Sequence, residues 1–228
     1  MLKQIKALWH KESLMSQVIE QLGTMTENAQ YVYTHAWEAC KGEAVAAKIA
    51  AAVREHDKAV NAGERSVRKL LVEHLTINPG EDVSGSLAVM IITKDLERVG
   101  DHGRNIFGIA QKQDGGVPGY HYFDKLDEIA GRLSVMFPKL QTALRDFDEE
   151  VAHDILNDYQ AVKPLVKTVQ KELFDASLDA REAVTTTLLN RYLMRINAHI
   201  GNATSGIIFP IENIDFVSRG LRQEEKER

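Results

Sequence analysis

The sequence predicts an all-α protein built as two tandem three-helix bundles related by an internal repeat. Three observations carry that expectation. The 228 residues hold only five prolines and few alternating strand-like runs, and long stretches are rich in Ala, Leu, Glu, Lys and Arg, which cost little in a helix. Residues 96–105, LERVGDHGRN, recur 97 positions later as residues 193–202, LMRINAHIGN, the self-similarity expected of a duplicated unit. The clearest linker, Asp114-Gly115-Gly116-Val117-Pro118-Gly119, falls almost at the midpoint, where Gly and Pro punctuate the chain. The expected units are residues 1–114 and 119–217, followed by a charged tail over residues 218–228.

The first helix is expected over residues 11–40, where Leu14, Val18, Leu22, Met25, Ala29, Val32 and Ala36 recur every three or four positions as one apolar stripe. Lys41-Gly42 ends it. The second, over residues 43–75, runs into Asn78-Pro79-Gly80, a turn because proline cannot continue a helix. The third spans residues 83–113 and starts after Asp82, whose side chain suits an N-cap; Asp179 is its copy ahead of the sixth helix. The fourth, fifth and sixth helices are expected over residues 122–145, 148–177 and 181–209, the fifth kinked at Pro164. Helices of about 30 residues are about 45 Å long and pack antiparallel when joined by short turns. Ahead of them, Trp9 in the Leu2, Ile5, Leu8 stripe either joins the core or anchors a partner.

Composition narrows the function classes. A formal charge of -5 and a pI near 5.9 argue against nucleic acid, which demands a basic face. The longest apolar run, residues 87–92, is far shorter than the roughly 20 residues of a membrane helix, and no secretory leader opens the chain. A soluble, cytoplasmic protein without membrane insertion is expected. Cys40 is the single cysteine, so no internal disulfide or thiolate zinc site can form; on an apolar helix it reads as core rather than nucleophile.

The two copies differ in a concerted way. Glu97, Asp101, Asn61 and Glu64 of the first half become Met194, Ala198, Val162 and Leu165 in the second. Glu97, Asp101 and Asn105 lie along one face of the third helix, as Asp57, Asn61 and Glu64 do on the second. Facing each other, these stripes would make an oxygen-lined site. Like charges at i and i+4 repel unless a cation neutralises them, and oxygen donors suit Mg, Mn, Ca or iron. The alternative is that Arg98, Arg104, Arg65 and Arg68 pair with Glu97, Asp101 and Glu64 as ordinary salt bridges. Because His102, Asn105 and Asp57 persist as His199, Asn202 and Asp158 in the copy without the site, they read as more architectural than the other four. Gly100 and Gly103 are expected to let helices approach closely.

The run Asp95-Leu96-Glu97-Arg98-Val99-Gly100-Asp101-His102-Gly103-Arg104-Asn105-Ile106, with the Asp57-x-x-x-Asn61-x-x-Glu64 stripe and the Pro79 turn before Asp82, resembles the signature of the PhoU-like family of phosphate-uptake regulators. The resemblance covers most of the chain. It implies a duplicated helical protein that binds metal ions, iron or zinc, at Glu97, Asp101, Asp57, Asn61, Glu64 and Asn105, with Mg or Mn as further candidates. It also implies non-enzymatic cytoplasmic regulation through contact with a membrane phosphate transporter or its sensor histidine kinase, and a homodimer is compatible with it. The second copy departs from the pattern at Met194, Ala198, Val162 and Leu165, as does Asp82-Val83-Ser84 where the family has Asp-Leu-Arg, and residues 209–216 extend beyond the usual end.

Three other readings stand beside this one. An accessory subunit of a different ion or phosphate carrier would share the domain, and a metal-free helical adaptor would use only its faces. A ferritin-like di-iron enzyme needs two Glu-x-x-His motifs, and only Glu150-Val151-Ala152-His153 occurs, in the first turn of a helix where acids are expected anyway. No phosphate loop, nucleophile elbow or His-Glu-x-x-His pair is present.

Overall fold

The apolar stripe expected over the first helix becomes its buried face. The computed structural model describes residues 14–78, 83–113, 116–217 and 221. Helix α1 (Leu14–Lys41) buries Val18, Leu22, Met25, Ala29, Val32 and Ala36. Helices α2 (Ala46–Ile77) and α3 (Val83–Ala110) complete the first group, and α4 (Phe123–Asp146), α5 (Glu149–Asp175) and α6 (Ala180–Ile208) the second. A short 3-10 turn, Ile211–Asn213, follows. Trp9 and its stripe, Pro79, Gly80, Asp82, Asp114 and Gly115 lie outside the described residues, as does the tail apart from Leu221.

Helix ends follow local chemistry. Asp148 Oδ1 accepts from the backbone N–H groups of Glu150 (3.0 Å) and Val151 (3.1 Å), so the residue expected to open α5 caps it instead. Asp179 Oδ1 accepts from Arg181 N (2.8 Å) and Glu182 N (3.0 Å), as its position ahead of the sixth helix predicts. Helix α5 continues through Pro164, and α4 through Pro138.

Within each group the three helices pack on one another, and the groups then join along two seams, α3 on α6 and α1 on α4. One apolar interior runs through both groups, from Val18 and Val32 to Leu140, Ile196 and Ile207. Polar ties cross the seams. Tyr33 donates its hydroxyl to Ala130 O (2.8 Å) and stacks on Phe137, while Trp37 Nε1 donates to Asp127 Oδ1 (2.7 Å). The connection between the groups is clipped down as well: Val117 N donates to Cys40 O (2.8 Å). Gly116 adopts φ 82°, and a Cβ there would stand 2.5 Å from Cys40 O, so only glycine fits. Residues 209–217 fold back, burying Phe209, Ile214 and Val217.

The close approach expected at Gly100 and Gly103 is real. A Cβ on Gly103 would lie 3.1 Å from Val32 Cγ1 and 3.3 Å from the Tyr33 backbone nitrogen, and one on Gly100 would lie 3.2 Å from Val60 Cγ1. These contacts draw α3 onto α1 and α2. Gly103→Val should therefore cost about 1–3 kcal/mol by overpacking. Urea denaturation followed by circular dichroism checks this, and an unchanged midpoint would show that the α1–α3 spacing is not limited there.

Candidate functional site

The stripes on α2 and α3 do face each other, and what joins them is a ladder of alternating charge. Arg68 donates to Glu64 Oε1 at 2.6 Å. Lys94 Nζ bridges the helices, 3.4 Å from Glu64 Oε1 and 2.7 Å from Glu97 Oε2. Arg98 spans Glu97 (3.6 Å) and Asp101 (3.2 Å), and Arg104 spans Asp101 (3.2 Å) and Asp57 (3.4 Å). Four carboxylates thus meet four cations. Glu64 and Glu97 are buried beneath side chains that are themselves about half exposed, so the acids form an inner layer and the bases an outer one.

Arg68, Arg98 and Arg104 pair as their positions in the sequence allow, whereas Arg65 makes no ion pair among the described residues. Lys94, which ties the two helices together, escaped the sequence reading. Its signal was present three residues before Glu97, the spacing of helical neighbours, but nothing in the sequence reveals that it also reaches Glu64.

Asp57 is the least satisfied acid. Its Oδ1 is buried outside hydrogen-bond geometry, although Arg104 Nε stands within ion-pair distance. Burial raises its carboxyl above the usual aspartate range, Arg104 works against that, and the negative charges of Asp101 and Glu97 reinforce it. The structure therefore disfavours the Asp57 anion unless more positive charge arrives. Asn61 turns its amide back, donating from Nδ2 to Asp57 O at 2.8 Å. Asn105 lies along the lining of an adjoining cavity. As the side chains stand, no three His, Cys, Asp or Glu residues converge closely enough to hold a metal ion among the described residues. The donor chemistry nonetheless fits a hard or borderline cation: four carboxylates on two facing helices, one with a buried oxygen lacking a hydrogen bond.

The second half has no equivalent. Val162 is wholly buried in the core, Met194 is exposed, and Asp158 pairs with Lys139 at 2.7 Å. Where α3 crosses α6, however, the repeat leaves a two-fold echo, since Asp95 and His102 correspond to Tyr192 and His199. His199 Nδ1 donates to Asp95 Oδ1 at 2.6 Å, while Arg195 donates to its Nε2 at 3.1 Å. In the mirrored position His102 has Tyr192 beside it, ring centroids 5.8 Å apart, and both its buried nitrogens lack hydrogen-bond partners. Cys40 is buried, and burial pushes its thiol up to about 12, which removes it as a nucleophile. Glu150 stands exposed at the start of α5.

The family model of the PhoU domain matches residues 22–110, the half that carries the ladder. Among solved structures, PhoU from Pseudomonas aeruginosa superposes with a TM-score of 0.75 at 21% identity, covering 91% of this chain and 98% of that one. The phosphate transport system regulatory protein PhoU from Streptococcus pneumoniae superposes with a TM-score of 0.69 at 18% identity, covering 88% and 97%. No curated protein matches the chain. The fold is therefore that of these two proteins over nearly its whole length.

The orphaned histidine makes a measurable difference to stability. The His102 pKa is lowered from 6.5 to about 4, chiefly by burial and then by the neighbouring His199 and Arg195. Above pH 6.5 neither folded nor unfolded chain protonates this ring. Between 6.5 and 4 the unfolded chain takes up a proton that the folded chain refuses, so stability falls as pH drops through that window. Urea midpoints measured at pH 7 and pH 5 should fall further in the native sequence than in His102→Phe, which keeps a ring beside His199 and Tyr192; equal falls would exclude His102 as the source.

Proposed function

We propose that this PhoU-like chain, whose residues 22–110 are a PhoU domain, is a non-enzymatic regulator of phosphate uptake that works by protein contact with a membrane phosphate transporter or its sensor histidine kinase. The observation that carries the reading is the coincidence of that domain with the paired stripes of α2 and α3. The Streptococcus pneumoniae relative, a phosphate transport system regulatory protein, supports the phosphate assignment. No helix among the described residues is long and apolar enough to cross a membrane, which is in keeping with action on a membrane partner from one side.

Metal binding belongs to this proposal. Glu97, Asp101, Asp57 and Glu64 would hold the ion, with Asn61 and Asn105 at the edges of the set, and iron or zinc is the first expectation. The ion would supply fixed positive charge that shapes the α2–α3 face; no reaction is assigned to it. Half-exposed ion pairs are worth about 0–1 kcal/mol each, so Lys94, Arg98 and Arg104 can be displaced by a divalent cation. Asp57, whose anion lacks sufficient compensation, gains most from its arrival.

A second reading, the metal-free adaptor, draws on the ladder itself. Four cations already neutralise four carboxylates, and a face so balanced can dock a partner without an ion. Metal content separates the two. Protein purified without chelator should contain iron or zinc, and Glu97→Ala combined with Asp101→Ala should lose it while keeping its helicity by circular dichroism. Equal metal content in that variant would refute the assignment of the site, and metal-free native protein that still captures a phosphate transporter or histidine kinase would establish the adaptor.

A further inference from the structure

A second site lies beside the ladder, in the seam between the halves. A cavity of about 480 Å³ opens where α2, α3 and α6 meet, within the range of small-molecule sites, roughly 300–1,000 Å³. Its polar rim is cationic: Arg54 from α2, Arg104 from α3 and Lys112 just beyond α3. No carboxylate lines it, in a chain whose formal charge is -5. Arg104 shares its charge with Asp57 and Asp101, but Arg54 and Lys112 have no ion pair among the described residues. Beneath them the walls turn apolar, with Val53 and Phe107 on one side and Leu188 and the half-buried Tyr192 of α6 on the other.

Cations without counter-charges above an apolar, partly aromatic wall suit a ligand that is anionic at one end and uncharged at the other. Arg guanidinium recognises phosphoryl oxygens through paired N–H groups and Lys as a point charge. An uncharged ring can lie on Tyr192 and Leu188. We propose that this seam binds a small organic phosphate of nucleoside diphosphate type, with its phosphoryl groups among Arg54, Arg104 and Lys112 and its uncharged body against α6. Because the first half supplies the cations and the second half the apolar wall, such a ligand bridges the two halves. The cavity adjoins the carboxylate site, sharing Arg104 and Asn105 with it, while Arg54, Lys112 and the α6 wall lie outside that site; binding here does not rest on the regulatory reading.

Gly108 provides a direct test. It lines the cavity, and a Cβ built on it meets nothing within 4 Å, so Gly108→Phe puts a bulky ring at the cavity wall with room for its Cβ and with a better helix former than glycine. Isothermal titration calorimetry of the full chain with ADP, pyrophosphate and adenosine reads the binding. ADP should bind saturably and more tightly than either fragment. Arg54→Ala combined with Lys112→Ala, both exposed positions, should weaken it about tenfold or more, as expected on losing charge-assisted hydrogen bonds. Gly108→Phe should abolish it, with native helicity in both variants. No binding of ADP at millimolar concentration would overturn the proposal, as would unchanged affinity in the double variant. Pyrophosphate binding as tightly as ADP would overturn the assignment of the apolar wall and with it the ligand class.

Discussion

The close approach of α3 to α1 and α2 is the constraint on which the other features rest. With glycine at positions 100 and 103, Val60, Val32 and the Tyr33 backbone approach α3 so closely that a Cβ there would stand 3.1–3.3 Å from them. Within two helical turns of these glycines sit Lys94 and Arg104, which are thereby brought within ion-pair reach of Glu64 and Asp57 on α2. A side chain at Gly100 would press on Val60 of α2, and one at Gly103 on Val32 and the Tyr33 backbone of α1. The site is thus held by packing, and its charges are arranged on a spacing that they do not themselves set.

Electrostatics explains why the face is poised rather than locked. Its carboxylates lie inside and its cations outside, and the outer side chains, Lys94, Arg98 and Arg104, are long, half exposed and individually weakly held. Asp57 is the exception that gives the face a direction. Burial and two neighbouring acids work against its anion more strongly than Arg104 supports it, so added positive charge is favoured there.

The second half shows what happens to such a site when its acids are lost. Val162 fills core volume where Asn61 stands in the first copy, and Asp158 finds a single lysine. The seam between copies changed less completely. The Asp95–His199 pair survives, while its mirror image retains His102 without a hydrogen-bond partner next to Tyr192. This loss of two-fold balance coincides with the seam cavity, because Tyr192 contributes to both. Tyr192, standing where Asp95 stands in the first copy, leaves His102 without an acid partner and gives the cavity an aromatic wall.

Much of this was legible in the sequence. Six helices fall within a few residues of where apolar periodicity puts them, because a 3.6-residue repeat over nearly thirty positions permits no other regular structure. The repeat announced the two halves, and the change of Glu97, Asp101, Asn61 and Glu64 between copies marked the polar face. Other features were decided only by the fold. Lys94 bridging α2 to α3, Asp95 meeting His199 across 104 residues, and Arg54 and Lys112 gathering at one cavity all depend on how helices distant in sequence are placed. Periodicity determines which face of a helix is buried, since that depends only on the helix itself. Which charge meets which depends on interhelical distance, set here by the volumes of Val32, Val60 and two glycines, and on a crossing of α3 with α6 that no local pattern encodes.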